Sequence, residues 1–318
     1  MSSTELPRTQ AVPEVLPTAA QSDGTVTLRH VPLPGLTLAV RHRTPAREGL
    51  EPALYVHGLG GSALNWTALA DQLAGRVDGE AVDLPGFGQS PPPDDGDYSI
   101  TGHARAVTRY LDARGRGPVH LFGNSMGGAV VTRVAALRPD LVRTLTLVSP
   151  ALPELRPQRT AVPTALLAIP GAGSAFLKLT KDWTPEQRTG AVLALCYGDP
   201  RRVTPEGFAD AVREYQRRLT LPYHWEVMER SARGIVNAYT LGGQHGLWRQ
   251  ARRVLAPTLL VYGARDRLVS IRMARKAARS FRDSRLVVLP EAGHVAMMEY
   301  PQVVARAFGD LLAERGGS

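Results

Sequence analysis

Six residues in the first half of the chain constrain its fold more than any other part of the sequence. The segment Gly123–Gly128 directly follows the apolar run Val119–Phe122 and opens the helical pattern Met126–Leu137. A strand that turns this abruptly into a helix lifts one side chain above the sheet, and glycines on either side leave room for the turn. The unpaired amides at the helix start favour developing negative charge there. We therefore predict a nucleophilic serine at Ser125 rather than an incidental serine in a glycine-rich turn.

Short apolar runs alternate with helical patterns over most of the chain, which is typical of a parallel sheet covered by helices on both faces. A hairpin is predicted at residues 25–40. The alternation stops at residues 151–256, where helical patterns occur without a convincing strand. We predict an α/β core at residues 25–150 and 257–318, with a helical cap (lid) inserted at 151–256. Residues 1–24, rich in Pro, Ser, Thr and Gln, are predicted to form a flexible N-terminal tail.

A serine nucleophile needs a base and an acid that orients the base. Among the eight histidines, His294 is the one that follows the last predicted strand, and Asp266 follows the strand before it. Both are expected at the carboxyl edge of the sheet, where Ser125 also lies. An alternative slot for the acid, after the strand ending at Val148, holds no carboxylate before Glu154. The predicted catalytic residues are therefore Ser125, Asp266 and His294.

A second glycine-rich loop, His57–Ser62, directly follows another predicted strand. Glycines let a backbone approach a ligand closely. The backbone amides of Leu59 and Met126 are predicted to form an oxyanion hole for the reaction. His57 itself is expected to stabilise its loop rather than to react.

These segments, taken in order, resemble the motifs of the α/β-hydrolase family, in its lid-bearing branch of small esterases, lipases and ring-cleavage-product hydrolases. The matching segments are His57–Gly61, Asp83–Ser90, Gly123–Gly128, Gly263–Asp266 and Gly293–His294. The resemblance extends from about residue 25 to 313, and the predicted cap carries no recognised motif. It implies an α/β-hydrolase fold, with a mostly parallel central sheet flanked by helices and an inserted helical cap. Haloalkane dehalogenases and epoxide hydrolases also resemble the chain, but they need an aspartate where Ser125 stands.

The resemblance implies a serine hydrolase that cleaves a carboxylic ester of a small to medium apolar substrate through an acyl-enzyme. Three alternatives stay open on the same residues. The first is a carbon–carbon hydrolase of a ring-cleavage-type diketone, and the second is an acyltransferase. The third is a ligand receptor that retains the fold and turns over slowly or not at all. No metal or organic cofactor is implied.

An apolar stretch in the predicted cap, Ala161–Leu179, is interrupted by prolines and glycines and is too short to span a bilayer. We interpret it as an apolar cover over the substrate pocket, with peripheral contact to lipid as the second interpretation. Leu166, Phe176 and Leu177 are predicted to contact the substrate, and packing within the cap is the alternative role for them.

Composition excludes several other classes of protein. The net charge is +9, but the 38 basic residues are spread along the chain without interleaved aromatic residues, which disfavours nucleic-acid binding. The single cysteine, Cys196, excludes an internal disulfide framework and a thiolate zinc site within one chain. No secretory signal pattern occurs at the N-terminus, so a cytoplasmic location is expected. The sequence predicts no oligomeric state.

Overall fold

The computed structural model describes residues 9–11, 26–154 and 156–316. Nine strands of these residues form one sheet. They are β1 Thr9–Ala11, β2 Val26–Leu33, β3 Leu36–Arg43, β4 Glu51–Val56, β5 Val77–Val82, β6 Val119–Asn124, β7 Val142–Val148, β8 Thr258–Gly263 and β9 Ser284–Leu289. The predicted tail, residues 1–24, lies outside the described residues apart from β1, which pairs with β9.

The strand order in the sheet is β1-β9-β8-β7-β6-β4-β5-β3-β2. Neighbouring strands from β1 to β5 in this order are parallel, whereas β3 and β2 run antiparallel to their neighbours. The predicted hairpin is confirmed by β2 and β3, which turn between Leu33 and Leu36. A mostly parallel sheet flanked by helices confirms the predicted fold class.

Helices cover both faces of this sheet. The described α-helices are α1 Thr67–Leu73, α2 Ile100–Arg114, α3 Met126–Leu137, α4 Val162–Leu166, α5 Ala172–Leu179, α6 Pro185–Cys196, α7 Pro205–Leu219, α8 His224–Thr240, α9 Leu247–Ala251, α10 Arg272–Ser280, α11 Ala296–Glu299 and α12 Pro301–Gly316. Buried residues of α2, α3 and α10 pack with the sheet in one apolar cluster, and those of α1 and α12 pack in a second cluster. The two clusters hold the strands rigid, so that the loops at the strand ends have fixed positions.

Helices α4 to α9 lie between β7 and β8, where the sequence predicts a helical cap. Within residues 149–154 and 156–257 the structure has no strand. Helices α4 and α5 pack on α8, and α6 packs on α7, whereas α9 packs on α3. The last of these contacts ties the end of the insertion to a helix that covers the sheet. The division into core and cap stays a prediction.

No helix in the described part of the chain combines the length and the apolar character needed to cross a membrane.

A buried histidine links the packing of α2 to pH. His103 is fully buried, and its Nε2 lies 3.4 Å from the Oγ of Ser231 on α8. Burial, together with the nearby His57, lowers the pKa of His103 to about 3. The unfolded chain has an ordinary histidine there, with a pKa of about 6.5. Between these two values the unfolded state binds more protons than the folded state, so acid destabilises the fold.

We therefore expect His103→Gln to flatten the dependence of stability on pH. In the wild type, His103 alone lowers the free energy of unfolding by up to about 1.4 kcal/mol for each unit by which the pH is decreased from roughly 6 to 4. Urea unfolding at several pH values measures the slope. His30→Gln, on the exposed side of β2, is the matched control. Equal slopes for His103→Gln and the wild type would contradict the assignment.

Candidate active site

Four loops meet at one edge of the sheet because the strands before them are parallel. His57 directly follows β4, Ser125 directly follows β6, and Asp266 and His294 come shortly after β8 and β9. Val56 of β4 is in register with Gly123 of β6, which sets the first two loops side by side. The carboxyl ends of parallel strands are where such sheets place their ligands.

Ser125 has an unusual backbone conformation. Its φ is 53° and its ψ is −119°, and Ser149 (φ 44°) is the one other non-glycine residue with positive φ in the described chain. Such conformations cost about 1–3 kcal/mol and persist where the surroundings hold them. Here the Ser125 amide donates to the Val148 carbonyl at 3.1 Å, and the Ser125 carbonyl accepts from the amides of Ala129 (3.2 Å) and Ala151 (2.9 Å). Both ends of the residue are fixed, and its side chain stands partly exposed above the sheet.

The loop after β4 presses directly against this turn. A Cβ atom on Gly58 would lie 2.9 Å from the Cβ of Ser125, and one on Gly127 would overlap the backbone of Val56 and His57. Real Cβ atoms do not approach so closely, so both positions require glycine. The close approach brings the backbone of residues 58 and 59 beside Ser125.

The structure brings the predicted base and acid together. His294 Nδ1 lies 3.0 Å from Asp266 Oδ2, and both residues are buried, with 4% and 5% exposure. Asp266 Oδ1 accepts hydrogen bonds from the amides of Leu268 (2.8 Å) and Val269 (3.0 Å). Burial alone would raise the pKa of Asp266, but His294 and these two amides outweigh burial and hold the pKa below its ordinary value. Asp266 is thus a fixed carboxylate facing the imidazole.

Asn124 joins the turn at Ser125 to the histidine loop. Its Nδ2 donates to the carbonyls of Val148 and His294, both at 3.0 Å. In the described chain, Ser125 Oγ makes no hydrogen bond with the His294 imidazole. Hydrogen bonds of this kind are often long without substrate and tighten in the complex. No sequence pattern singles out Asn124 as a site residue, although its place beside Ser125 is a usable signal.

A second anchor for the histidine loop comes from α6 and α11. The amide of His294 donates to the carbonyl of Cys196 at 2.7 Å. The carboxylate of Glu299 accepts from the amides of Gly293 (2.7 Å) and Gly198 (2.8 Å). One buried carboxylate therefore bridges the histidine loop and the end of α6. No sequence pattern pointed to Glu299.

The loop after β4 carries the predicted oxyanion donors. In the described residues, neither the Leu59 amide nor the Met126 amide donates a hydrogen bond to another protein group. His57 is fully buried and, as expected, structural: its Nε2 accepts from the Leu84 amide at 3.0 Å. Its Nδ1 must then carry the proton, and it donates to the Gly58 carbonyl at 2.7 Å. The oxyanion role of Leu59 and Met126 stays a prediction.

The predicted substrate-contacting residues lie on the inserted helices. The Phe176 ring packs on Trp225 of α8, with ring centroids 5.9 Å apart, and Leu166 is 50% exposed at the end of α4. Leu177 is half-buried on α5. Contact of these three side chains with substrate stays a prediction.

A cleft of about 350 Å³ opens elsewhere, between the loop before α2 and helix α8. Asp95, Asp97, Tyr98 and Arg230 are among its lining residues, and none of the predicted site residues is. No group of three or more His, Cys, Asp or Glu side chains in the described residues is placed to hold a metal ion. The paired His294 and Asp266 and the strained turn at Ser125 make their edge of the sheet the candidate active site.

A family model described as alpha/beta hydrolase fold matches residues 52–301, which include all of these loops. The chain belongs to the α/β-hydrolase fold family. Family membership supports a hydrolase enzyme and leaves its type open, because this fold hosts many chemistries.

Relatives of this α/β-hydrolase carry different names. A dihydrolipoyllysine-residue acetyltransferase component of an acetoin cleaving system, from Cupriavidus necator, is 29% identical to this chain. The match covers 79% of this chain but only 60% of the length of that relative. A monoacylglycerol lipase of Xenopus laevis is 26% identical over 82% of this chain and 74% of its own length. A 2-hydroxy-6-oxo-6-(2'-aminophenyl)hexa-2,4-dienoic acid hydrolase of Metapseudomonas resinovorans is 28% identical over 83% of this chain and 85% of its own length.

Solved structures share the fold at lower identity. The haloalkane dehalogenase DbeA of Bradyrhizobium elkani superposes with a TM-score of 0.74 at 22% identity, covering 92% of this chain and 100% of that one. This likeness concerns the fold alone. It adds no information about the reaction.

Proposed function

We propose that this α/β-hydrolase is a serine esterase of the carboxylesterase or lipase type, with Ser125 as nucleophile, His294 as base and Asp266 as the acid that orients the base. The observation that carries the proposal is the 3.0 Å pair of His294 and Asp266 at the sheet edge where Ser125 stands on its strained turn. A serine hydroxyl, an imidazole and an ionised carboxylate are the three groups that acyl transfer by a serine nucleophile uses.

In the proposed reaction, Ser125 Oγ attacks the ester carbonyl while His294 Nε2 takes its proton. The carbonyl oxygen becomes an oxyanion, which the amides of Leu59 and Met126 stabilise. The tetrahedral intermediate then expels the alcohol, which receives the proton from His294. Water attacks the acyl-enzyme in the same way and releases the acid.

A carbon–carbon hydrolase is the first alternative, since one relative carries the name of a dienoic acid hydrolase. Such a substrate would call for a cation to bind its carboxylate, and Arg156, Arg159 and Arg188 lie in the insertion. Arg156 and Arg159 are exposed. Arg188 donates to the Thr180 carbonyl at 2.5 Å.

A substrate panel tests the proposal. Nitrophenyl esters of increasing acyl length are compared with a 2-hydroxy-6-oxohexa-2,4-dienoate. An alcohol acceptor is added to detect acyl transfer. We expect hydrolysis of the esters and covalent labelling of Ser125 by a fluorophosphonate. Turnover of the dienoate alone would show that the protein is a carbon–carbon hydrolase. Transfer of the acyl group to the alcohol in preference to water would show an acyltransferase. Labelling of Ser125 without any turnover would show a receptor.

The partners in this proposal are small-molecule esters with an apolar part. Val162, Leu166 and Ile169 are exposed on and after α4, where an apolar cover over the pocket was expected. Peripheral lipid contact and the cytoplasmic location stay predictions.

A further inference from the structure

A series of hydrogen bonds connects the guanidinium group of Arg218, at the end of α7, with the loop that carries Leu59. Arg218 Nη1 donates to the Gly60 carbonyl. The amide of Gly61, which belongs to the same peptide group as that carbonyl, donates to the Gly58 carbonyl at 3.0 Å. The Gly58 carbonyl shares its peptide group with the Leu59 amide. The cation and the proposed oxyanion donor therefore stand at opposite ends of two hydrogen-bonded peptide groups.

The Gly58 carbonyl accepts a second hydrogen bond, from His57 Nδ1 at 2.7 Å. Burial lowers the pKa of His57, so the ring is neutral near pH 7 and keeps the proton on Nδ1 that makes this bond. Each donor to a carbonyl polarises its peptide group and makes the N–H of that group a better donor. The peptide group that ends in the Leu59 amide is thus polarised from two directions.

Arg218 is held in place by a half-buried carboxylate, that of Glu214. Its Nε donates to Glu214 at 2.8 Å, and the neighbouring Arg217 donates to the same carboxylate at 2.7 and 2.9 Å. Burial alone would raise the pKa of Glu214, but the two guanidinium groups outweigh it and lower the pKa to about 2. Glu214 is therefore ionised near neutral pH. Arg217 differs from Arg218 in its second contact, which is the Gly88 carbonyl at 2.8 Å in another loop.

The loop also lies beneath an apolar side chain. A Cβ on Gly60 would stand 3.2 Å from Cε of Met228, on α8. The thioether of Met228 therefore covers one side of the loop and shields it in part from water. Hydrogen bonds that are shielded from water are electrostatically stronger than exposed ones.

We propose that Arg218 is a positioning residue for the oxyanion hole, which fixes the loop after β4 and strengthens the Leu59 amide as a donor through the Gly60–Gly61 and Gly58–Leu59 peptide groups. The inference rests on the proposed function. It assigns to α7, in the inserted segment, a part in stabilising the transition state. Arg218 itself touches no reacting atom.

Arg218→Gln, Arg218→Lys and the matched control Arg217→Gln test the proposal. Both glutamine variants remove one guanidinium from Glu214 and one bond to a loop carbonyl, so general damage to α7 affects them alike. We expect Arg218→Gln to lower kcat for a nitrophenyl ester about tenfold with little change in KM, because the donor is weakened rather than removed. Arg217→Gln is expected to stay within about twofold of the wild type, and Arg218→Lys, which keeps a cation, to recover part of the loss.

The affinity for a trifluoromethyl ketone inhibitor is a measurement that a purely structural role of Arg218 would leave unchanged. The inhibitor's tetrahedral adduct with the serine places an oxyanion in the hole, so its affinity should fall by the same factor as kcat in Arg218→Gln. Equal losses in Arg217→Gln and Arg218→Gln, or a loss confined to KM, would overturn the proposal. So would unchanged kinetics in Arg218→Gln while Ser125→Ala is inactive. Full activity in Ser125→Ala would instead overturn the proposed function.

Discussion

Replacing Ser125 with alanine will lower kcat/KM for a nitrophenyl ester by a factor of about 10⁴ to 10⁶, since no other group in the site can form the acyl-enzyme. The Ser125 side chain makes no hydrogen bond that caps α3, so its loss should leave the fold intact. Burst kinetics with the nitrophenyl ester, together with a thermal melt of each protein, measure both effects.

Ser149→Ala is the matched control for this substitution. Ser149 also has positive φ, lies at the end of the neighbouring strand β7, and its buried Oγ has no hydrogen-bond partner in the described chain. Its alanine variant should stay within a few-fold of wild-type activity. If Ser125→Ala kept the wild-type rate, or if both variants lost activity equally, the nucleophile assignment would be refuted.

Asp266→Asn will lower kcat by about 10⁴, although the substitution changes a single atom from oxygen to nitrogen. The amides of Leu268 and Val269 both donate to Oδ1, so the asparagine must keep its oxygen there. Its NH₂ group then faces His294 Nδ1, which can only accept. The imidazole of His294 must then carry its proton on Nε2. Because Nε2 is the atom that accepts the proton of Ser125, the ring can no longer act as the base.

Glu154→Gln is a suitable comparison, because Glu154 lies near the same loop and accepts from the Ser270 amide at 3.5 Å without touching His294. We expect it to retain most of the activity. Stopped-flow acylation rates distinguish the two variants. Comparable rates for Asp266→Asn and the wild type would show that Asp266 does not set the tautomer of the base.

The elements that carry the candidate site could be predicted because each one is encoded locally. The apolar strand before Ser125, its flanking glycines and the helix after it are adjacent in sequence, and the strands before Asp266 and His294 are short apolar runs. Parallel strands then bring their ends together without further information. The contacts of His57 agree with the expectation that it stabilises its loop: one is with the adjacent Gly58 carbonyl, and the other is with the Leu84 amide, 27 residues away.

The contacts from the inserted helices could not be predicted. Arg218 and Gly60 are 158 residues apart in the sequence, and Gly198 and Glu299 are 101 apart. Nothing in the pattern of α6 or α7 fixes which carbonyl or amide they reach, because that depends on how the insertion packs on the sheet. Because the chain has many arginines, the sequence does not distinguish the few whose side chains bind specific carboxylates or carbonyls.

The bond between the His294 amide and the Cys196 carbonyl has a consequence for protein engineering. The Cys196 carbonyl at the end of α6 accepts a hydrogen bond from the backbone of His294, whose ring lies against Asp266. The Glu299 carboxylate accepts from Gly198, after α6, and from Gly293 in the histidine loop. Excising the insertion, or grafting one from another enzyme to change specificity, would remove both supports at once. A chimera therefore has to retain residues 196–198 together with Glu299 if its histidine is to keep its orientation.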